Sequence, residues 1–170
     1  MRLYINPKKT ETKLSYRELA EKMWFKEKNG HKLEISHVGN DESLQDNLFL
    51  SLSIDKWLND SKWKKIESPL QFEDIDLEFL KEENLLFIMS KHQKILTVDK
   101  RALYIMAVEL AKDLDGSISE DEKSTWLSVA EFEKKHQVVL NLTYEEANDI
   151  SLKEVKTMEA IEEPWDYDDE

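Results

Sequence analysis

At 170 residues, with 40% apolar and 36% charged side chains and with six Phe, five Tyr and five Trp, the chain suffices for one domain with a sizeable core, which excludes disorder throughout. No run approaches the ~18 apolar residues of a membrane span, the first residues lack an apolar stretch of signal-peptide length, and the absence of Cys excludes disulfide frameworks and zinc–thiolate sites, so a cytoplasmic protein with no membrane contact is expected. The net charge of −13 is unevenly placed: residues 1–40 carry nine Lys/Arg against five Glu, whereas residues 158–170 carry seven carboxylates and no base.

In chain order, Leu3-Tyr4-Ile5 predicts a short strand ended by Asn6-Pro7. Ser15-Tyr16-Arg17-Glu18 is a capping box, and Tyr16, Leu19, Ala20, Met23 and Trp24 follow helical spacing as far as the Asn29-Gly30 stop. Alternation over His31–Val38 and over Leu48–Ile54 predicts two strands paired as a hairpin across the Gly39-Asn40-Asp41-Glu42 loop. The Lys-rich segment around Trp57-Leu58 and Trp63 reads equally as a short helix or an irregular loop.

Leu85–Met89 is short enough for a buried strand, and Lys94–Val98 is expected to pair with it across Lys91-His92-Gln93. Asp99 reads as an N-cap for a helix over Lys100–Leu114 ended by Asp115-Gly116. Ser117-Ile118-Ser119 and Thr125-Trp126-Leu127 bracket an acidic loop. Ser128–Glu131 is a second capping box opening a helix to Lys135, Gln137–Leu142 reads as a strand, and Thr143–Glu146 and Ser151–Glu154 are two more boxes. The expected fold is a single α+β domain over 1–157, a mainly antiparallel sheet with a central amphipathic helix (about 100–114) and an N-terminal helix (about 16–28) packed on it, followed by an acidic C-terminal tail over 158–170.

Catalytic patterns are missing. His31, His37, His92 and His136 show no metal-ligand spacing. Gly116-Ser117 lacks a nucleophile elbow, and Gly30, Gly39 and Gly116 are too far apart to cradle a phosphate. Carboxylate pairs such as Asp74/Asp76 read as solvated surface among 37 acids. No enzyme, cofactor or metal is therefore expected. The lysines of the N-terminal region and Lys62, Lys64 and Lys65 around Trp63 read as the wet sides of packed elements, and the net negative charge opposes phosphate, so no direct nucleic-acid contact is expected.

The acidic features point to a protein partner. Glu120, Asp121 and Glu122 form one candidate contact. Glu162, Glu163, Trp165, Asp166, Tyr167, Asp168 and Asp169 form the other, combining aromatic anchors with charge that steers an opposite partner.

The stretch from Ala107 to Asp121, Ala107-Val108-Glu109-Leu110-Ala111-Lys112-Asp113-Leu114-Asp115-Gly116-Ser117-Ile118-Ser119-Glu120-Asp121, followed by Trp126-Leu127 and Phe132, resembles bacterial immunity proteins of polymorphic toxin systems. The resemblance covers about a fifth of the chain. It implies a cytoplasmic protein that neutralises a cognate toxin domain, often a basic nuclease, by docking on it. Two other classes stay open: an acidic regulatory, adaptor or nucleic-acid-mimic protein, which calls for carboxylates spread over a broad face, and an enzyme of unfamiliar type, which calls for a deep pocket with convergent polar groups.

Overall fold

The computed structural model describes residues 1–24, 34–39 and 49–164. Six strands make one antiparallel sheet: β1 (Arg2–Asn6), β2 (Ile35–Gly39), β3 (Phe49–Ile54), β4 (Ile75–Leu80), β5 (Leu85–Ser90) and β6 (Ser117–Ser119), in the order β2-β3-β4-β5-β1-β6. Period-2 alternation sends Leu3, Ile5, Leu50, Leu52, Ile75, Leu77, Leu86, Ile88 and Ile118 into a shared core. The intervening residues face the other way.

The helices pack on the apolar face. The long helix α3 (Thr97–Asp113) lies on β1, β5 and β6, flanked by α1 (Tyr16–Trp24), by α4 (Val129–Lys135) and α5 (Gln137–Leu140), and by α6 (Tyr144–Glu154). It is apolar on nearly every side because it is enclosed on nearly every side, with Leu103, Met106, Ala107, Leu110 and Ala111 all buried. A short helix α2 (Lys56–Asn59) and a 3₁₀ turn (Ser61–Lys65) follow β3. The architecture is the expected α+β class, with the central and N-terminal helices on the sheet.

The capping boxes at Ser128 and Thr143 form in both directions, and Ser15 exchanges hydrogen bonds with Glu18. Of the strands expected over His31–Val38 and Leu48–Ile54, the described residues form β2 and β3. Their antiparallel pairing is present, while residues 31–33 and 40–48 and the Asn29-Gly30 stop lie outside the described residues.

Four expectations are corrected. The segment Lys94–Val98 is not a strand, since β5 is already paired on both sides by β4 and β1. Asp99 is not an N-cap: α3 starts at Thr97, and its free amides are met by α6. There Glu154 accepts from Thr97 N (2.8 Å) and Thr97 Oγ1 (2.6 Å), and Ser151 Oγ accepts from Val98 N (2.9 Å). For the same reason Ser151–Glu154 opens no new helix; it is the last turn of α6 serving another helix's start. Gln137–Leu142 is not a strand, because α5 occupies Gln137–Leu140. Val139, Leu140 and Leu142 pack against the core, while Val138 is exposed.

Candidate functional site

The face of the sheet opposite the helices is read directly from the strand register. One row across five strands runs Phe49, Glu78, Phe87, Tyr4 and Ser119, and a second runs Val38, Ser51, Asp76, Met89 and Arg2. No described helix covers this face. Val38 is 65% and Phe49 40% exposed, Glu78 is exposed and Phe87 half-buried. Tyr4 packs on Phe87 with ring centroids 5.0 Å apart.

Two side chains of β1 hold the sequence-predicted contacts at the border of this face. Tyr4 Oη donates to Glu122 Oε2 at 3.0 Å. Burial first, then that bond and the charge of Glu122, push the phenol up to about 12. Two positions back, Arg2 Nε lies 3.0 Å from Glu163 Oε1, Arg2 Nη2 donates to Pro164 O at 2.8 Å, and the Met1 ammonium meets Glu163 Oε2 at 3.0 Å. Alternate residues of a strand share a face, so Glu122 and Glu163, 41 positions apart in the chain, border the same surface.

The remaining predicted residues are placed differently. Glu120 turns toward the helical layer, where it pairs with Lys135 and with His136 Nε2 at 2.6 Å. Its burial opposes ionisation, but those two hydrogen bonds prevail and hold its carboxyl below the usual range. Asp121 builds the loop itself, accepting from Thr125 N (2.8 Å) and Ser119 Oγ (2.9 Å). Glu122 and Lys123 take left-handed φ values of 53° and 68°, which turn Lys123 back over the Tyr4 ring, 5.1 Å from its centroid, to reach Glu83 at 2.7 Å. Glu162 is exposed at the side chain, and its backbone bridges His92. Trp165, Asp166, Tyr167, Asp168 and Asp169 lie outside the described residues.

Residues 161–163 run along the chain following β5, with Gln93 N donating to Ile161 O and Glu163 N to Lys91 O, both at 2.8 Å. This stretch is thus attached to the body of the domain.

Beneath it lies a cluster that sequence reasoning did not find. Lys56, Glu73, His92 and Asp99 are each at most 1% exposed. Lys56 Nζ lies 2.9 Å from Asp99 Oδ1 and donates to Gln71 O at 3.1 Å. Glu73 Oε2 lies 2.7 Å from His92 Nδ1, and Glu73 Oε1 accepts from His92 N at 3.1 Å. Burial, reinforced by the Asp99 charge, raises Glu73 to about 8, burial lowers His92, and burial raises Asp99 against the pull of Lys56. At neutral pH these shifts describe a neutral Glu73–His92 pair beside the close Lys56–Asp99 contact. The cluster clamps α2, the chain before β4, the chain after β5 and the first turn of α3 at one end of the sheet. Its members come from four separated segments, and none carries a local signal.

The aromatic–basic segment around Trp63 offers no base-stacking surface, because Trp63 is fully buried and its Nε1 donates to Asn148 Oδ1 at 2.8 Å. No described helix is long and apolar enough to cross a membrane. Among the described residues no group of three or more His, Asp or Glu has the geometry to hold a metal ion. No protein-family model, curated protein or solved structure matches the chain.

Proposed function

We propose that this chain is an immunity protein that binds a cognate bacterial toxin domain in the cytoplasm and neutralises it by charge-steered docking. The observation that carries the reading is the placement of Glu122 and Glu163 by Tyr4 and Arg2, two positions apart on β1, at the border of a sheet face that no described helix covers. An interface needs apolar area ringed by charge. This face supplies Val38 and Phe49 as exposed apolar side chains, and the acidic balance of the chain favours a basic partner, whose association the field accelerates.

Co-expression with a candidate toxin domain from a neighbouring gene tests the proposal. Cells carrying both are expected to grow, and the two proteins to co-purify as one complex. Cells that die as fast with both as with the toxin alone rule the proposal out.

A further inference from the structure

At the centre of the sheet face opposite the helices, a buried acid has no counter-charge among the described residues. Asp76, on the central strand β4, is nine-tenths buried, and it forms no ion pair among the described residues. Its hydrogen bond comes from Ser51, while Asp74 and Glu78 add like charge that raises its pKa beyond what burial does. Among the described residues, the cations bordering the face are committed elsewhere, Arg2 to Glu163 and Lys123 to Glu83. A carboxylate desolvated without a counter-charge costs free energy that an incoming cation recovers.

The neighbours of Asp76 define what else the partner brings. Its register partners are Ser51 and Met89, and one step along the strand Glu78 is flanked by Phe49 and Phe87. The Phe49–Glu78–Phe87–Tyr4–Ser119 row spans roughly 19 Å, four strand spacings of about 4.8 Å. An exposed acid thus sits between two aromatic side chains, with a buried acid beside it.

We infer that the Asp76–Glu78 stretch of β4, with Phe49 and Phe87 on either side, is the centre of the docking surface and receives a basic protein segment that presents an Arg or Lys next to an aromatic or aliphatic side chain. The inference deepens the proposed function and rests on it for its biological setting. It places the centre of the contact on the sheet, with the 120–122 loop and residues 162–163 at the rim. Arg suits the site better than Lys, since its flat guanidinium both pairs with carboxylates and stacks on aromatic faces.

The test is a titration of the isotope-labelled protein with the peptide acetyl-Arg-Trp-Arg-amide, followed by amide chemical shifts, with acetyl-Glu-Trp-Glu-amide as control. The basic peptide is expected to shift residues 49–51, 76–78 and 87–89, to weaken with added salt, and to bind at least tenfold more weakly to Glu78→Lys. Phe49→Ala, which leaves every charge in place, is expected to weaken it several-fold. Equal shifts with the acidic peptide, or shifts centred on Glu120 or elsewhere, overturn the inference. Co-expression with the toxin domain separates the two claims. Full protection by folded Glu78→Lys overturns the sheet-centred contact while leaving the immunity reading, whereas death of cells carrying the wild-type protein overturns the immunity reading and leaves the peptide result.

Discussion

Lys56 Nζ lies 2.9 Å from Asp99 Oδ1, with both side chains 1% exposed, so the ion pair sits in the interior. Asp99 Oδ2 has no hydrogen-bond partner among the described residues, so Asp99 depends on Lys56 for its charge. Removing one partner of such a pair is expected to cost about 3–5 kcal/mol, because the other charge is left buried and alone. Lys56→Met and Asp99→Leu should each lower the urea midpoint steeply. The double variant should lose less than the sum of the two. Strict additivity in a double-mutant cycle would show that the pair is not coupled.

Glu73 gives a prediction on the alkaline side. Its carboxyl rises from an ordinary 4.5 to about 8 through burial first and the Asp99 charge second. A group whose folded pKa exceeds its unfolded value binds its proton more tightly in the folded state. Its stabilising contribution is therefore complete below pH ~4.5 and is lost as pH rises through ~8. His92, lowered by burial, acts oppositely: its contribution is lost as pH falls below the ordinary histidine range. Thermal midpoints should accordingly decline from pH 6 to 9 in the wild type and decline much less in Glu73→Gln. Equal slopes for the two proteins would contradict the assignment.

The parts of the fold that were legible are those decided by neighbours in sequence. The capping boxes at Ser15, Ser128 and Thr143 are local hydrogen-bond exchanges over three residues, and the alternation of β3 reflects one buried face. The misread parts were decided at long range. Asp99 has the chemistry of an N-cap, but Glu154 and Ser151 of α6 already serve the amides of α3, which leaves its carboxylate for Lys56. Asp76 resembled one solvated acid among many, and only its place on a central strand, between Ser51 and Met89, makes it buried. For the candidate site, the acidic loop and Glu162-Glu163 were visible as charge runs. That Tyr4 and Arg2 bring Glu122 and Glu163 to one face depends on the antiparallel pairing of β1 with β5 and β6, which no local pattern encodes.

The long-range cap on α3 is testable by removing it. Glu154→Ala takes away the acceptor for both Thr97 N and Thr97 Oγ1 and leaves a helix start without its carboxylate. A loss of roughly 1–2 kcal/mol is expected, the size of an N-cap deletion. Glu154→Gln, which keeps an acceptor but no charge, should lose less. Equal losses in the two variants would locate the effect in the charge of the carboxylate instead of its hydrogen-bond acceptors or its packing.

Gly39 marks the far edge of the sheet. Its φ is +103°, and a Cβ there would stand 1.9 Å from the carbonyl oxygen of Phe49, which is backbone and cannot swing away. An unstrained exchange of Gly for Ala stabilises a chain by up to ~1 kcal/mol, but at this φ Gly39→Ala is expected to destabilise by more than that, by displacing β2 from β3. Loss of hydrogen-exchange protection should be confined to residues 35–39 and 49–54. Uniform loss across all six strands would mean that the β2 edge does not open on its own.

Within the acidic C-terminal stretch, residues 161–163 bond to Lys91, Gln93, Met1 and Arg2. Deleting residues 159–170 therefore does two things at once: it takes away seven carboxylates, and it strips the ion pair from Arg2 and the cover from the chain above the Glu73–His92 pair. A lower thermal midpoint is expected for the deletion, together with slower partner association at low salt. Glu163→Ala separates the two effects. Removing one charge of seven, it should reproduce part of the stability loss, since the Arg2–Glu163 pair is largely buried at 17% and 14% exposure, while changing the association rate little. A deletion that leaves the midpoint unchanged would show that the 161–163 contacts contribute nothing to holding the domain together.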